Sequence, residues 1–184
     1  MANTKTNVSI GKPKVSGSIF RAPEGTAVPT DAETELGQAF VPLGYISEDG
    51  LTNTRSFEAE VIREWGGDPV YEAETDQEDT FQFTLIESLN PDVLKAVHND
   101  DNVTGTIAAG ITVEVNGDEH KPAAWVIDMI MRNGALKRIC IPDASIIEVG
   151  EIVYRRSDAV GYPITLRAHA DSDGNYHYEY IKRP

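Results

Sequence analysis

The sequence predicts a mainly β fold, arranged as a β-sandwich or a partly closed barrel, with one flanking α-helix. Apolar and polar side chains alternate with a period of two over several short segments, which is the pattern of half-buried strands. The clearest helix signal occurs once, near the middle of the chain. Turn sequences separate the alternating segments, among them Gly-Gly-Asp-Pro at 66–69 and Asn-Gly at 133–134.

The chain begins with segments that predict irregular structure. Residues 1–14 are polar, contain one glycine and one proline, and predict an extended N-terminal arm, while 15–184 predicts a single β domain. Residues 21–37 hold two prolines, two glycines and few large apolar side chains, which predicts a long loop. Inside it, the capping-box spacing of Thr30 and Glu33 is typical of one helical turn.

A group of strands precedes the helix. Alternation predicts strands over 57–65 and 70–75, separated by the turn at 66–69, and a third strand over 80–87. The third strand is predicted to direct three apolar side chains inward, namely Phe81, Phe83 and Leu85.

The helix is predicted from Asn90 to about His98. Asn90 is a favourable N-cap, Pro91 occupies the first helical position, and Asp92 lies near the positive end of the helix dipole.

Strands resume after the helix. They are predicted over 111–115, 122–132, 135–141 and 151–156, with a turn at Asn116-Gly117. A last hairpin is predicted from 162–170 and 176–182, and its second strand places three tyrosines on one face: Tyr176, Tyr178 and Tyr180.

Charge is distributed unevenly along the chain. The 184 residues carry a formal net charge of −14, but residues 1–21 carry +4 and residues 22–92 carry −15. A basic arm beside an acidic body suggests that the arm of one copy docks on the body of another, although a solvated tail is the alternative. An acidic protein is not expected to grip nucleic acid, because phosphate binding needs clustered Lys and Arg.

The residues that could carry chemistry favour ordinary structural roles. His169 and His177 could face each other across the last hairpin, but no third ligand with metal-site spacing is visible, so a polar pair is favoured over a metal site. The Asp-rich segment 171–175 lacks the twelfth-position carboxylate of a calcium loop and predicts a plain turn. Cys140 alternates within a strand, which favours a packed, inert thiol.

Several classes of protein are therefore not expected. The sequence shows no phosphate-binding loop, nucleophile elbow or Cys–His signature, so we expect no enzyme, no cofactor and no metal. One cysteine allows no intrachain disulfide and favours synthesis in the cytosol. No apolar run approaches the roughly 20 residues of a spanning helix, so we expect no membrane partner.

The most informative feature is a strip of carboxylates along the predicted hairpin. If its strands pair, five glutamates are expected on one surface: Glu58, Glu60, Glu64, Glu72 and Glu74. Like charges facing each other destabilise a sheet, so such a strip calls for a functional explanation. The alternative is a solvated outer face, with Phe57, Ala59 and Val61 directed into the core.

An ordered set of segments resembles the major tail proteins of phages. The segments are Ala22–Ala32, Leu43–Leu51, Trp65–Asp68, Phe83–Lys95, Trp125–Met129, Gly134–Ile139, Glu148–Tyr154 and Tyr178–Ile181. The resemblance extends from about residue 13 to 182, and it is to the tail tube subunits of long-tailed, non-contractile bacteriophages. It implies a tail-tube-type β-sandwich whose hexameric rings stack into a hollow tube that conducts double-stranded DNA.

The resemblance also implies partners and a location. The partners are further copies of the chain, a tape-measure protein, and the tail terminator and distal tail or baseplate proteins, with DNA passing without specific binding. The location is the virion tail, after synthesis in the host cytoplasm. A tube subunit of a contractile injection system and a soluble β-sandwich binding module remain the alternatives.

Residue roles follow from combining the charges with the resemblance. The five glutamates are candidates for lining the bore, because an acidic wall repels DNA phosphates. The arm and the long loop are expected to make contacts between rings, since both look too polar to pack on their own chain. The candidates for these contacts are Lys5, Lys12, Lys14, Arg21, Pro29 and Asp31.

Overall fold

A computed structural model describes residues 8–13 and 18–183, apart from the side chains of Glu74, Thr75 and Asn133. These residues are mainly β, as predicted, and form one large antiparallel sheet, a small two-stranded sheet and one α-helix. The strands in the described part of the chain are, in order, β1 (Lys12–Pro13), β2 (Ile19–Pro23), β3 (Val41–Pro42), β4 (Ile46–Arg63), β5 (Pro69–Leu85), β6 (Val103–Thr106), β7 (Gly110–Val113), β8 (Ala123–Ile130), β9 (Leu136–Val149), β10 (Tyr162–Ala168) and β11 (Tyr178–Lys182).

The large sheet is open in the described part of the chain. Its strands follow the order β3-β2-β8-β9-β10-β5-β4, with β1 added beside β8 and β11 beside β9. The 14-residue strand β9 organises the sheet, because β8 pairs along one of its edges while β11 and β10 follow one another along the other. The sheet is therefore not a closed barrel.

The single helix, α1 (Pro91–His98), forms as its sequence predicts. The Asn90 side chain accepts a hydrogen bond from the Asp92 backbone N–H at 3.0 Å, and Pro91 begins the helix. Val93, Leu94, Ala96 and Val97 are buried against the sheet. Helix α1 and the β6–β7 hairpin thus cover one face of the large sheet.

The main core lies beneath this helix. It combines the inward side chains of β5, β8, β9 and β10, and the predicted trio Phe81, Phe83 and Leu85 is fully or almost fully buried there. A smaller cluster lies on the other face, where Ala124, Val126 and Cys140 are covered by residues of the segment 24–40. Both faces of the central strands are therefore covered.

Pairing between strands differs from the prediction at three places. The predicted last hairpin is wrong, because β10 pairs with β5 and β9 while β11 pairs with β9. Strand β7 turns back to β6 and not to β8, and β6 was not predicted. Residues 151–156 form no strand, although one is predicted there. Sequence periodicity identifies strands but carries no information on which strands pair.

Two local predictions are also corrected. No helical turn forms at Thr30 and Glu33; instead Asp31 accepts hydrogen bonds from the backbone N–H groups of Glu33 and Thr34. Tyr178 and Tyr180 stack on the smaller cluster, whereas Tyr176 packs against the main core, so the three tyrosines do not share a face.

Candidate assembly surface

A long hairpin projects from the body of the protein. Strands β4 and β5 pair from Ile46 opposite Leu85 out to Arg63 opposite Pro69. Near the body, β5 also pairs with β10 through residues 80–85, and its inward side chains enter the core. Beyond Thr80 the two strands have only each other as partners among the described residues. The outer part, 55–78, is the projecting hairpin.

The root of the projecting hairpin is held by polar contacts. Asp79 is only 2% exposed, and its carboxylate accepts a hydrogen bond from the Asn53 amide at 2.6 Å. The other carboxylate oxygen lies 2.5 Å from Nδ1 of His177, whose ring packs edge-on against Phe81. Arg167 donates to Glu78 from β10. A buried carboxylate needs such partners, and here they fix the direction in which the hairpin leaves the body.

The predicted carboxylate strip does not lie on one face. Glu58 pairs with Asp76, but Ala59 pairs with Glu74, so β5 contains one extra residue at this point. This bulge exchanges the two faces of β5 beyond it. Glu60 consequently lies opposite Ala73, while Glu72 lies opposite Val61 on the other face. The prediction of a single acidic face is therefore wrong.

The remaining strip residues are placed as follows. Glu64 follows the end of β4, at the tip, where its backbone N–H donates to the Asp68 carbonyl at 2.9 Å. The side chain of Glu74 lies outside the described part of the structure. The projecting hairpin keeps its acidic character, with carboxylates on both faces.

Apolar side chains on the projecting hairpin are also exposed. The alternative in which Phe57, Ala59 and Val61 face the core is wrong, because the body ends before them and Phe57 is 55% exposed. Arg55 lies over the Phe57 ring at 5.4 Å. Further exposed apolar side chains are Val61, Ile62, Trp65, Val70 and Tyr71. An apolar, acidic, two-stranded projection of this length is not stable alone and fits a surface that a second molecule covers.

The segment 24–40, which contains most of the predicted loop 21–37, packs on its own chain, contrary to the expectation that the loop is too polar to do so. Phe40 and Ala32 are buried, and Val28 and Leu36 pack on the smaller cluster. The Arg138 guanidinium, 1% exposed, donates to the carbonyls of Asp31 at 3.2 Å and Thr34 at 2.7 Å. These contacts fasten the segment to the sheet.

Two groups at the contact between this segment and the sheet, the Cys140 thiol and the Asp31 carboxyl, have shifted pKa values. Burial raises the pKa of Cys140 to about 12, and its thiol donates to the Pro29 carbonyl at 3.4 Å. Hydrogen bonds from the hydroxyl and backbone N–H of Thr34 and from the backbone N–H of Glu33 lower the pKa of Asp31 to about 2. The prediction of a packed thiol is confirmed.

Of the candidates for contacts between rings, three bind within the chain. Arg21 makes a bidentate ion pair with Asp100 at 3.0 and 2.8 Å, and Pro29 and Asp31 hold the contacts just described. Lys12 is exposed in β1, which pairs with β8. Lys5 and Lys14 lie outside the described residues. The structure leaves their role in a contact between copies as a prediction.

The histidines form no common site. His169 Nε2 lies 3.1 Å from the Ser145 hydroxyl, while His177 contacts Asp79, so the predicted pair of His169 and His177 is wrong. Within residues 8–13 and 18–183, no group of three His, Cys, Asp or Glu side chains could hold a metal ion. The predicted plain turn at 171–175 is confirmed, since Asp171 accepts from the backbone N–H groups of Asp173 and Asn175. None of the described helices is long and apolar enough to cross a membrane.

Comparison with known proteins identifies the family of this chain. A model of a family described as "Phage tail tube protein" matches residues 3–183. The chain belongs to the phage tail tube protein family. The tail tube protein is thus a structural component of the virion tail and not an enzyme, as the sequence predicted. Membership in the family implies self-assembly and contacts with other tail proteins.

Two other comparisons add little. No curated protein matches the sequence of this tail tube protein. Among solved structures, it is similar to a chain in "Cryo-EM structure of the anti-feeding prophage cap (AFP tube terminating cap)", at 11% identity and a TM-score of 0.39, covering 97% of this chain and 98% of that one. A similarity this distant carries no argument about function.

Sequence reasoning missed the polar anchors of the tail tube protein. Arg138 and Asp128 lie on adjacent strands, and Asp79 and His177 are 98 residues apart. A weak signal existed for Asp128, since it interrupts the otherwise apolar strand β8. A charge at an inward position of a strand predicts a buried partner, but not its identity.

Proposed function

We propose that this tail tube protein forms hexameric rings that stack into the tail tube of a long-tailed, non-contractile phage, through which double-stranded DNA is ejected. The observation that carries the proposal is the projecting hairpin, which exposes six large apolar side chains, from Phe57 to Tyr71, with no core of its own. Its β4 edge has no partner strand in the described part of the chain. Exposed edges and apolar surface of this kind are covered when neighbouring copies pair.

The acidic side chains favour a specific orientation of the hairpin. On one face, Glu58 and Asp76 lie directly opposite each other, with Glu60 next along the strand. Repetition around a ring would turn this group into a band of negative charge that repels DNA phosphates. We place Glu58, Glu60 and Asp76 toward the bore, and Glu72 away from it. Glu64, at the tip, and Glu74 complete the set proposed from the sequence.

Other parts of the proposal concern the segments that join rings. The arm, residues 1–14, is basic, whereas residues 22–92 are strongly acidic. Charge complementarity favours contact of the arm with the next ring, through Lys5, Lys12 and Lys14. The tape-measure protein, the tail terminator and the distal tail proteins are the further proposed partners.

The first test is the assembly state of the purified protein. Negative-stain and cryo-electron microscopy are expected to show rings with six-fold symmetry and stacked tubes. A protein that stays monomeric at all concentrations would contradict the proposal and favour a soluble binding module. A tube that requires a contractile sheath in the same particle would favour an injection system.

The second test concerns the bore. The double variant Glu58→Lys/Glu60→Lys is expected to form tubes but to slow DNA ejection, because a basic wall attracts phosphates. Glu60→Lys alone and Glu72→Lys are the matched pair of variants, since each makes the same change of charge and the two residues lie on opposite faces. Equal ejection rates for the two variants in phage particles would reject the proposed orientation.

A further inference from the structure

We propose that the tip of the projecting hairpin of one copy binds the exposed segment Tyr154–Arg156 of a neighbouring copy. The tip is Glu64–Asp68, and Tyr154–Arg156 is named the receiver segment. This inference rests on the proposed function, because it specifies one contact through which copies join.

The tip presents an ordered, exposed aromatic side chain. Its turn is closed by hydrogen bonds from the Gly67 N–H to the Glu64 carbonyl and from the Glu64 N–H to the Asp68 carbonyl, both at 2.9 Å. Arg63 donates to the Gly67 carbonyl at 3.1 Å. Trp65 is 104% exposed on this turn. An exposed tryptophan on a fixed turn is suited to be a central anchor of an interface, because it loses little conformational freedom on binding.

The receiver segment is exposed and basic. Tyr154 is 75% exposed and the Arg155 side chain is 65% exposed, with Asp158 at 3.8 Å as a weak ion-pair partner. Arg156 is exposed and makes no ion pair with any described residue. None of the backbone–backbone hydrogen bonds in the described part of the chain involves residues 151–160. The segment therefore has donors and side chains available to a partner.

The two surfaces match in chemistry. Arginine stacks on tryptophan more favourably than on other aromatic rings, and it binds carboxylates through two parallel hydrogen bonds. The tip offers Trp65 between two carboxylates, Glu64 and Asp68, and the receiver segment offers two guanidinium groups beside Tyr154. A cleft lined in part by the residues on either side of the receiver segment contains four carboxylates, namely Glu48, Asp49, Glu151 and Asp158. These repel the acidic tip, so contact is expected at the outer side chains and not in the cleft.

The two surfaces lie at opposite ends of the same strands. The receiver segment belongs to the loop between Gly150, whose N–H donates to Pro163, and Tyr162, which pairs with Leu85. Leu85 also pairs with Ile46 at the start of β4, whereas the tip follows its end at Arg63. At about 3.3 Å per residue, the tip is on the order of 50 Å away. Only another copy can bring the two together.

Complementary surfaces at opposite ends give a head-to-tail contact. Such contacts close into rings when the rotation between copies permits, and they do not produce a two-fold dimer. The proposed pair of surfaces is thus consistent with the ring that the proposed function requires.

The test combines charge reversal with tryptophan fluorescence. The protein has two tryptophans, and Trp125 is only 1% exposed, so an emission change on assembly reports Trp65. Wild-type emission is expected to shift to shorter wavelength on assembly, and the shift is expected to vanish in Trp65→Phe. Arg155→Glu/Arg156→Glu is expected to raise the protein concentration needed for assembly by about tenfold or more, as loss of a central contact does.

Controls separate this contact from a general effect of charge. Lys121→Glu/Arg132→Glu makes the same change in net charge at exposed side chains and is expected to alter that concentration by no more than about twofold. Adding Glu64→Arg and Asp68→Arg to the Arg155→Glu/Arg156→Glu variant is expected to restore assembly. Circular dichroism of each unassembled variant establishes that it folds.

The outcomes distinguish the two proposals. A wild-type protein that never assembles would overturn the proposed function and this contact together. If the wild type forms rings, but Arg155→Glu/Arg156→Glu assembles like its control and Trp65 emission does not change, the contact is overturned and the proposed function stands.

Discussion

Arg138 and Asp128 lie directly opposite each other on β9 and β8 and form a buried bidentate ion pair, with distances of 2.6 Å from Nε and 2.9 Å from Nη2 to the two carboxylate oxygens. The remaining Arg138 nitrogen donates to the carbonyls of Asp31 and Thr34. One guanidinium thus joins two strands of the sheet and the segment 24–40.

Arg138→Met is expected to lower the free energy of unfolding by about 3–5 kcal/mol, because it removes the guanidinium that pairs with the buried Asp128 carboxylate. Asp128→Leu/Arg138→Met removes both charges and is expected to cost less than the single variant. Denaturant unfolding monitored by circular dichroism measures both values. A double variant that is less stable than Arg138→Met would contradict this account of the pair.

Cys140 is expected to resist thiol reagents in the folded protein at pH 8. Its burial and raised pKa of about 12 leave almost no accessible thiolate, and Pro29 of the segment 24–40 covers the sulfur. Reaction with an aromatic disulfide reagent, followed by absorbance, is expected to begin only on unfolding. Arg138→Met is expected to react faster than wild type below its unfolding midpoint, because the covering segment has lost its fastening.

Acid is expected to weaken the turn at Asp31 only at very low pH. The folded pKa of about 2 lies below the ordinary value of 3.8, so the ionised carboxylate stabilises the fold above pH 3.8. This stabilisation is lost as the pH falls from 3.8 through about 2. Carbon-13 NMR of the Asp31 carboxyl measures the titration directly. Thr34→Ala is expected to raise the Asp31 pKa toward 3.8, since the largest cause of the shift is the Thr34 hydroxyl; an unchanged titration would contradict that cause.

Two glycines of the β6–β7 hairpin provide a matched test of backbone packing. Gly105 and Gly110 both have positive φ, 92° and 99°, but a Cβ on Gly105 would lie 2.1 Å from the Gly110 carbonyl oxygen, whereas none of the described atoms lies near a Cβ on Gly110. Gly110→Ala is expected to cost about 1–2 kcal/mol through strain alone. Gly105→Ala is expected to cost more, because the backbone must also move. Thermal unfolding of the two variants compares these costs. Equal values would show that the backbone moves away from the Cβ of residue 105 at no cost in stability.

Local sequence signals predicted the elements well and their partners poorly. Helix α1 was predicted with its N-cap because Asn90, Pro91 and Asp92 act within one turn. Alternation also predicted the strands 70–75 and 80–87, which the structure joins into the single strand β5, and the inward direction of Phe81 and Phe83. Residues 176–182 were assigned to the wrong partner, because pairing with β9 depends on contacts more than 30 residues away that no local pattern encodes.

The candidate surface shows the same limit. Alternation correctly placed Phe57 and Glu58 on opposite faces of β4, but it could not show that the body ends before them. Burial is a property of the whole fold, so alternation alone left open whether Phe57 faces a core. For the segment 24–40 the sequence underestimated burial. The segment has few large apolar residues, but two of them, Val28 and Leu36, pack on the sheet.

The extra residue in β5 affects how prone the subunit is to aggregate before it assembles with other copies. Continued pairing beyond Glu58 and Asp76 without the bulge would bring Ala73 opposite Val61 and Tyr71 opposite Arg63, on the face that also carries Phe57. A strand pair with these apolar side chains on one exposed face would be prone to aggregation during synthesis, when many copies are present at once. The observed register instead intersperses Glu72 with Val61, and Ile62 and Tyr71 with Glu60. Deleting Thr75 is therefore expected to lower the solubility of the unassembled subunit, so that the variant precipitates at concentrations at which the wild type stays in solution.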